Sequence, residues 1–265
     1  MQTLKHYVKI YFLIEAQYIK ARLQYRADFI ISSIGMVVTS ITTIFVFWVL
    51  FSSITDLAGW TFDELLFIYA FYLLAIVPQQ ILFDHIWDLR WQVMEGTFIK
   101  YYFRPLNMLF YYISEKFDVK GLSQLALGIV ALIYASHRLH LVWDLPKLLW
   151  LITAWLGSSL VVISTLLIAS SLAFWMQNSF PVLNLAWKVR EYGQYPISIF
   201  DGLFRFVFTY LLPIGFVAFY PAQLFLRPEQ VPVLAYASPV IGVAFFALAY
   251  LVWSKGVNHY SGTGS

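Results

Sequence analysis

Six long apolar runs dominate this chain, and they constrain its fold more than any other feature of the sequence. A helix needs roughly 20 mostly apolar residues to cross a bilayer, because the hydrocarbon core is about 30 Å thick. The composition fits such a chain, since 61% of the residues are hydrophobic and only 12% are charged, against about 25% charged in a soluble domain. A membrane β-barrel would show alternating segments of about 10 residues, and the sequence has none. The sequence therefore predicts an all-α polytopic membrane protein.

The apolar runs predict six transmembrane helices. Their approximate ranges are 29–54, 65–83, 112–135, 148–176, 197–225 and 231–253. The uncharged part of the third run is too short to cross alone, so this span is expected to begin near Tyr112 and to carry charged residues in its first turns. In the fifth run, Pro213 is expected to bend the helix, and Pro221 to end it or to start a re-entrant turn.

The start of the chain and the distribution of charge add further expectations. Residues 2–26 mix polar and apolar side chains near helical spacing, which predicts an amphipathic helix lying in the membrane interface. No low-complexity segment or flexible linker divides the chain, so residues 1–265 are predicted to form a single domain. The segments on the side of the N-terminus hold thirteen Lys and Arg residues, and the opposite loops hold three. Because cytoplasmic loops are the richer in Lys and Arg, both termini are predicted to be cytoplasmic.

No catalytic or metal site emerges from the sequence. The chain lacks the Gly-rich phosphate loop followed by Lys and Ser or Thr, so it is not expected to bind a nucleotide in that manner. It has no cysteine, which excludes disulfides and thiolate metal sites. His137 and His140 lie three residues apart in a predicted outer loop. They either bind a metal ion together or are two solvated histidines at the membrane interface. We therefore predict no enzyme activity and assign no catalytic or metal-binding residue.

Four polar residues fall inside predicted spans, where such groups are costly and usually partnered. Gln79 and Gln80 follow Pro78 in the second span, which indicates either a packed kink or a ligand site. Asp201 and Arg205 are four residues apart near the inner end of the fifth span. They are interpreted as a mutual ion pair or as part of a substrate path, and Arg205 is also long enough to reach the headgroups.

Two predicted cytoplasmic segments stand out between the apolar runs. The first, residues 87–105, places aromatic and charged side chains at helical spacing and stops at Pro105, because the residue before a proline disfavours the α region. The second lies between the fourth and fifth runs, over residues 177–196. From periodicity alone, an ordinary interfacial helix rich in Trp and Tyr and a docking segment for a partner are equally good readings of the first segment.

Three stretches of sequence resemble a known family. Glu95–Phe98 followed by Phe103–Asn107 is similar to a signature of ABC-2 type permeases, although Ile99 and Lys100 stand where that branch often has an acidic residue. Tyr195–Phe200 with the later Tyr220–Ala222 resembles a second pattern of the same branch. The C-terminal stretch from Trp253 to Ser265 resembles its ending.

The resemblance implies a six-helix permease that works as a dimer, either with itself or with a related permease. A separate ATPase subunit would hold ATP and Mg, and this chain would carry no cofactor. The complex would export a hydrophobic or amphiphilic substrate across the bacterial inner (plasma) membrane by alternating access. A membrane scaffold or sensor that binds a cytoplasmic partner without transport is the alternative.

The resemblance also implies residue roles. Residues 87–105 correspond to the coupling segment that contacts the ATPase, and the loop before the fifth span would make a secondary contact. The residues expected to make these contacts are Arg90, Trp91, Glu95, Lys100 and Arg104 in the coupling segment, with Lys188, Arg190 and Glu191 in the later loop.

Overall fold

The computed structural model describes residues 26–261, so the predicted interfacial helix over residues 2–26 lies almost wholly outside the described residues. Within that range the regular structure is helical, apart from one isolated bridge between Leu57 and Trp60. The α-helices in chain order are α1 (Arg26–Ser53), α2 (Phe62–Leu82), α3 (Leu89–Met94), α4 (Met108–Ser114), α5 (Gly121–Arg138), α6 (Leu145–Ser171), α7 (Phe180–Glu191), α8 (Gly202–Phe206), α9 (Phe219–Leu226) and α10 (Val233–His259).

Four helices among the described residues are long and apolar enough to cross a membrane. They are α1 over Ile30–Ser53, α2, α6 with its 3-10 extension to Phe174, and α10. Each corresponds to one predicted apolar run. The chain is therefore an all-helical polytopic membrane protein, because a helix is the element that satisfies its own backbone hydrogen bonds in lipid.

The third apolar run folds differently from the expectation. Its long helix begins at Gly121, and residues 108–114 form the separate helix α4. Charged side chains between the two helices explain the break: Lys116 pairs with Asp88, and Glu115 pairs with Lys100. These charges would be costly inside lipid, so they stay outside the span. The expected start near Tyr112 is therefore wrong.

The fifth apolar run is not one helix. α8 continues as a π-helix over Val207–Leu211, the backbone becomes extended at Leu212, and a 3-10 turn leads into α9. Pro213 lies at the break, as expected from its missing N–H. Pro221 does not end a helix: it lies in the first turn of α9, where a proline costs no hydrogen bond.

α2 is the central helix and packs against α5 and α6, and α10 packs along the length of α6. Every residue of α2 from Glu64 to Val77 is buried. α6 and α10 cross at two glycines, where a Cβ atom on Gly242 would lie only 2.2 Å from the Gly157 carbonyl oxygen. Small residues at such a crossing let two helix backbones approach closely. The bundle of α2, α5, α6 and α10 carries the short helices α3, α4 and α7 at one end.

Candidate functional site

Residues 84–104 form a broken helical segment at the end of α2. A 3-10 turn over Asp84–Asp88 leads into α3, which stops at Gly96 in the left-handed conformation with φ of 73°. A second 3-10 stretch over Thr97–Phe103 follows, and Arg104 is extended before Pro105. The single amphipathic helix suggested by the helical spacing is therefore two short pieces joined at a glycine, which alone adopts this φ without strain.

The inner face of this segment is anchored to the helical core. The Phe98 side chain is fully buried, and its ring lies 5.0 Å from that of Phe174 and 5.9 Å from that of Trp253. Those partners belong to the ends of α6 and α10. Aromatic pairs at these separations stabilise packing beyond their buried area. The segment is therefore joined to two long helices through one aromatic side chain.

Charged side chains fasten the same segment to the turn that precedes α5. The Glu115 carboxylate accepts hydrogen bonds from the Lys100 ammonium and the Tyr101 hydroxyl. The Lys116 ammonium pairs with Asp88 on the other side of the turn. Charge-assisted bonds of this kind are stronger and more directional than neutral ones. A displacement of the segment would therefore be passed to α5 through the residue 115–120 turn.

A buried histidine completes the anchor. The Nε2 atom of His85 lies 2.8 Å from the Tyr112 carbonyl oxygen, and the Tyr112 hydroxyl donates to the His85 carbonyl oxygen at 2.9 Å. Burial lowers the pKa of His85 to about 4, so its ring is neutral at physiological pH. Burial, with the nearby Asp118 charge second, raises the pKa of the neighbouring Asp84.

The outer face of the segment is apolar and exposed. Trp91 is 52% exposed and Phe103 is 77% exposed, and Met94, Ile99 and Tyr102 are also exposed. Glu95, Lys100 and Arg104 lie among them. An exposed patch of large apolar side chains with charged residues between them is typical of a protein-docking surface.

α7 lies beside this face, so the two predicted cytoplasmic segments meet. The Trp87 ring is 5.9 Å from the Phe180 ring and 5.3 Å from the Trp187 ring. Phe180 is itself exposed, as are Trp175 and Met176 just before α7. We call the surface formed by the exposed side chains of residues 91–104 and 175–180 the docking face.

Three of the five predicted coupling residues keep their charged groups close to an aromatic ring. The Arg90 guanidinium lies 4.6 Å from the centre of the Trp91 ring, and that of Arg104 lies 5.9 Å from Tyr111. The Lys100 ammonium lies 4.9 Å from Tyr101. Such contacts orient a long cationic side chain.

Of the three residues predicted to make the secondary contact, two lie at the surface and one is buried. Lys188 and Glu191 are exposed on α7. Arg190 is only 4% exposed, donates to the Gln79 side-chain oxygen at 2.8 Å and stacks 3.7 Å over Trp187. The guanidinium is therefore withdrawn from the surface on which a coupling contact would have to lie, and it joins α7 to α2.

The polar pair of the fifth apolar run is not an ion pair. The Asp201 carboxylate caps α8 by accepting from the Phe204 N–H at 3.0 Å, and Arg205 donates to the Ser198 carbonyl at 3.1 Å. Both side chains are exposed. The expected mutual pairing is wrong because each group has a nearer backbone partner.

The anchoring residues Asp88, Tyr101, Glu115 and Lys116 were missed by the sequence reasoning. The signal was present: four charged residues within 115–120 cannot be accommodated at the start of a span, and they therefore need partners elsewhere. The identity of those partners depends on the fold. Within residues 26–261, no group of three or more His, Asp or Glu side chains is placed to hold a metal ion.

The described residues form a helical membrane body with an exposed apolar and charged face at one end. The chain matches the family model described as ABC-2 family transporter protein over residues 37–264, and it belongs to that family. The family comprises the membrane-embedded permease components of ABC transporters, which are not themselves enzymes. Searches of the curated proteins and of the solved structures found no significant match.

Proposed function

We propose that this chain is the permease subunit of an ATP-driven exporter of the bacterial inner membrane, with six spans and both termini in the cytoplasm. A separate ATPase subunit, which holds ATP and Mg, docks on the docking face. One observation carries the proposal: the segment has one apolar face free for a partner and one face fastened to three helices. A surface built in this way receives a movement and passes it on.

The transmission route has two branches. One runs from Phe98 into Trp253 of α10 and Phe174 at the end of α6. The other runs through Glu115 and Lys116 into α5. ATP binding in the partner would favour one arrangement of these helices and ADP the other, because a ligand shifts a two-state equilibrium by its differential binding to the two states. Alternating access follows from this shift.

A second permease, the same chain or a related one, completes the transporter. α1 is poorly covered by the rest of the chain. Only 11% of its apolar stretch is buried, whereas 78% of the corresponding stretch of α2 is buried. Exposed apolar side chains also lie on α8 and on the π-helix after it, including Leu203, Phe206 and Leu211. Two such surfaces on one chain support pairing with a second permease within the membrane. The substrate class, a hydrophobic or amphiphilic molecule, rests on the family alone.

Co-purification with the ATPase subunit tests the docking assignment. Phe103→Ala combined with Glu95→Gln should reduce both ATPase recovery and ATP turnover of the complex at least about tenfold, because aromatic side chains at the centre of an interface carry much of its energy. Val142→Ala is the matched control, since Val142 is 73% exposed in a loop on the opposite predicted side. Full assembly and turnover in the double variant would contradict the assignment. A stable partner without ATPase activity would instead indicate a scaffold or sensor.

A further inference from the structure

A cavity of about 520 Å³ lies between α1, α2, α5 and the C-terminal end of α7, and no docking-face residue lines it. Its volume is within the range of small-molecule sites, about 300–1,000 Å³. α2 contributes two tyrosines, Tyr69 and Tyr72, and α5 contributes Gln124. α7 contributes Arg190, so the cavity is lined by a buried, positively charged side chain.

The buried Arg190 guanidinium forms no ion pair among the described residues, and its electrostatic neighbours are the Asp84 carboxylate and the Tyr72 hydroxyl. Arg190 is 4% exposed, and no carboxylate lies within ion-pair distance of it among the described residues. One of its nitrogens donates to Gln79, while its Nε atom has no hydrogen-bond partner. A buried charge is costly unless it is paired and hydrogen-bonded. The cavity therefore presents a cation whose remaining hydrogen-bonding capacity calls for an anion.

The neighbouring amides extend this incomplete polar site. The side-chain NH₂ of Gln79 and the side-chain oxygen of Gln80 are buried without partners. By contrast, Ser40 in the same lining is satisfied, because it accepts from the Gln124 amide at 3.0 Å. Of the two unpartnered amides, only Gln80 lines the cavity with Arg190, and the buried Gln79 instead holds the guanidinium in place.

The rest of the lining suits a chain attached to that headgroup. Leu73, Ile76 and Met36 line the same cavity. The other charged side chain of the lining, Glu191, is exposed, so solvent screens its repulsion of an anion. The site combines a buried cation with apolar walls, which are the features that an anionic amphiphile requires.

We propose that this cavity binds the phosphate headgroup of an anionic membrane lipid, with Arg190 as its counter-ion. This binding does not depend on the proposed transport function, because it requires neither the ATPase nor turnover. It is therefore measured on the chain alone, and failure of either proposal leaves the other standing.

The test compares two acyl-labelled lipids that differ in headgroup charge. The full chain in uncharged detergent is titrated with pyrene-labelled phosphatidylglycerol or with pyrene-labelled phosphatidylcholine. We expect phosphatidylglycerol to bind at least about tenfold more tightly, because both lipids carry a phosphate but only phosphatidylglycerol has a net negative charge to offset the buried guanidinium. Arg190→Gln should abolish that preference, Arg190→Lys should restore part of it, and Lys255→Gln, which removes an exposed charge from α10, should leave it unchanged.

A second variant keeps the proposal falsifiable if Arg190→Gln does not fold. Gly35 lines the cavity, and a Cβ atom there would meet nothing within 4 Å. The side chain of Gly35→Leu therefore fills part of the cavity without a clash. This substitution should weaken phosphatidylglycerol binding, whereas Val38→Leu on the exposed side of α1 should not.

Three results would overturn the assignment. They are equal binding of the two lipids by the wild-type chain, an undiminished preference in Arg190→Gln, and unchanged binding in Gly35→Leu. Displacement of the labelled lipid by millimolar inorganic phosphate would assign the site to a soluble anion, and this would contradict the assignment to a lipid.

Discussion

Phe98 and Phe103 have the same side chain and lie five residues apart, yet their surroundings are opposite. Phe98 is fully buried between the ends of α6 and α10, and Phe103 is 77% exposed. At the residue scale this contrast separates the two roles of the segment: one aromatic fixes it to the bundle, and the other is free for a partner.

The contrast predicts different stability effects for the same substitution. Phe98→Ala should lower the free energy of unfolding by about 3–5 kcal/mol, because it empties a packed aromatic site. Phe103→Ala should change it by no more than about 0.5 kcal/mol, as is usual at the surface. Thermal unfolding of the two variants in the same detergent measures both values. Equal destabilisation would show that Phe98 does not anchor the segment.

The buried His85 predicts a pH dependence of stability. Its folded-state pKa, about 4, lies below its ordinary value of 6.5, so the unfolded chain binds the proton more readily. The stability that His85 contributes is complete above pH 6.5 and falls progressively toward pH 4, by about 3 kcal/mol. The raised pKa of Asp84 acts in the opposite direction.

A non-titrating variant isolates the histidine. His85→Gln keeps a donor for the Tyr112 carbonyl but does not change charge. The stability difference between wild type and His85→Gln should therefore shrink as the pH is lowered from 7 to 4, while the Asp84 contribution cancels. Parallel stability curves over this range would exclude a buried neutral histidine.

At the element scale, α6 and α10 are held together by the close approach of two backbones. Gly242→Val would place side-chain atoms against the Gly157 carbonyl. We expect a loss of about 1–3 kcal/mol, as for other overpacked cores. Ala244→Val on the exposed side of the same helix is the control and should be nearly neutral. Unfolding in detergent distinguishes them, and equal midpoints would mean that the crossing is not tight.

The elements also show what sequence reasoning can reach. Four apolar runs fold as single long helices, because uninterrupted apolar length determines such a helix. The third and fifth runs could not be placed in this way. The break before Gly121 depends on Asp88 and Lys100, which are distant in sequence from the Glu115 and Lys116 that they bind. Pro213 in the sequence indicated the break. The π-helix before it and the 3-10 turn into α9 could not be predicted, because they depend on tertiary packing.

The same distinction applies to the candidate site. The composition of residues 87–105 was enough to indicate that charged side chains such as Glu95, Lys100 and Arg104 lie at the surface, and their coupling role stays a prediction. The burial of Arg190 was not, because its neighbour in space, Gln79, lies on α2, 111 residues earlier. A charge in a basic loop is expected at the surface, and only the fold reveals that this one points inward.

At the scale of the whole molecule, the chain is a membrane body whose described part has a docking face at one end. Its function as a permease subunit depends on which side of the membrane that face occupies and on what covers it. The absence of cysteine from the sequence allows both questions to be answered with single-cysteine variants.

The most direct measurement is labelling of Phe103→Cys with a membrane-impermeant maleimide, beside Val142→Cys and Lys255→Cys. In intact spheroplasts, we predict that Val142→Cys reacts and Phe103→Cys does not. In lysed membranes Phe103→Cys should react, and co-expression of the ATPase subunit should slow that reaction at least about tenfold while leaving Lys255→Cys unchanged, because a docked partner excludes solvent from the interface. Labelling of Phe103→Cys in intact spheroplasts, or no protection by the ATPase, would contradict the account.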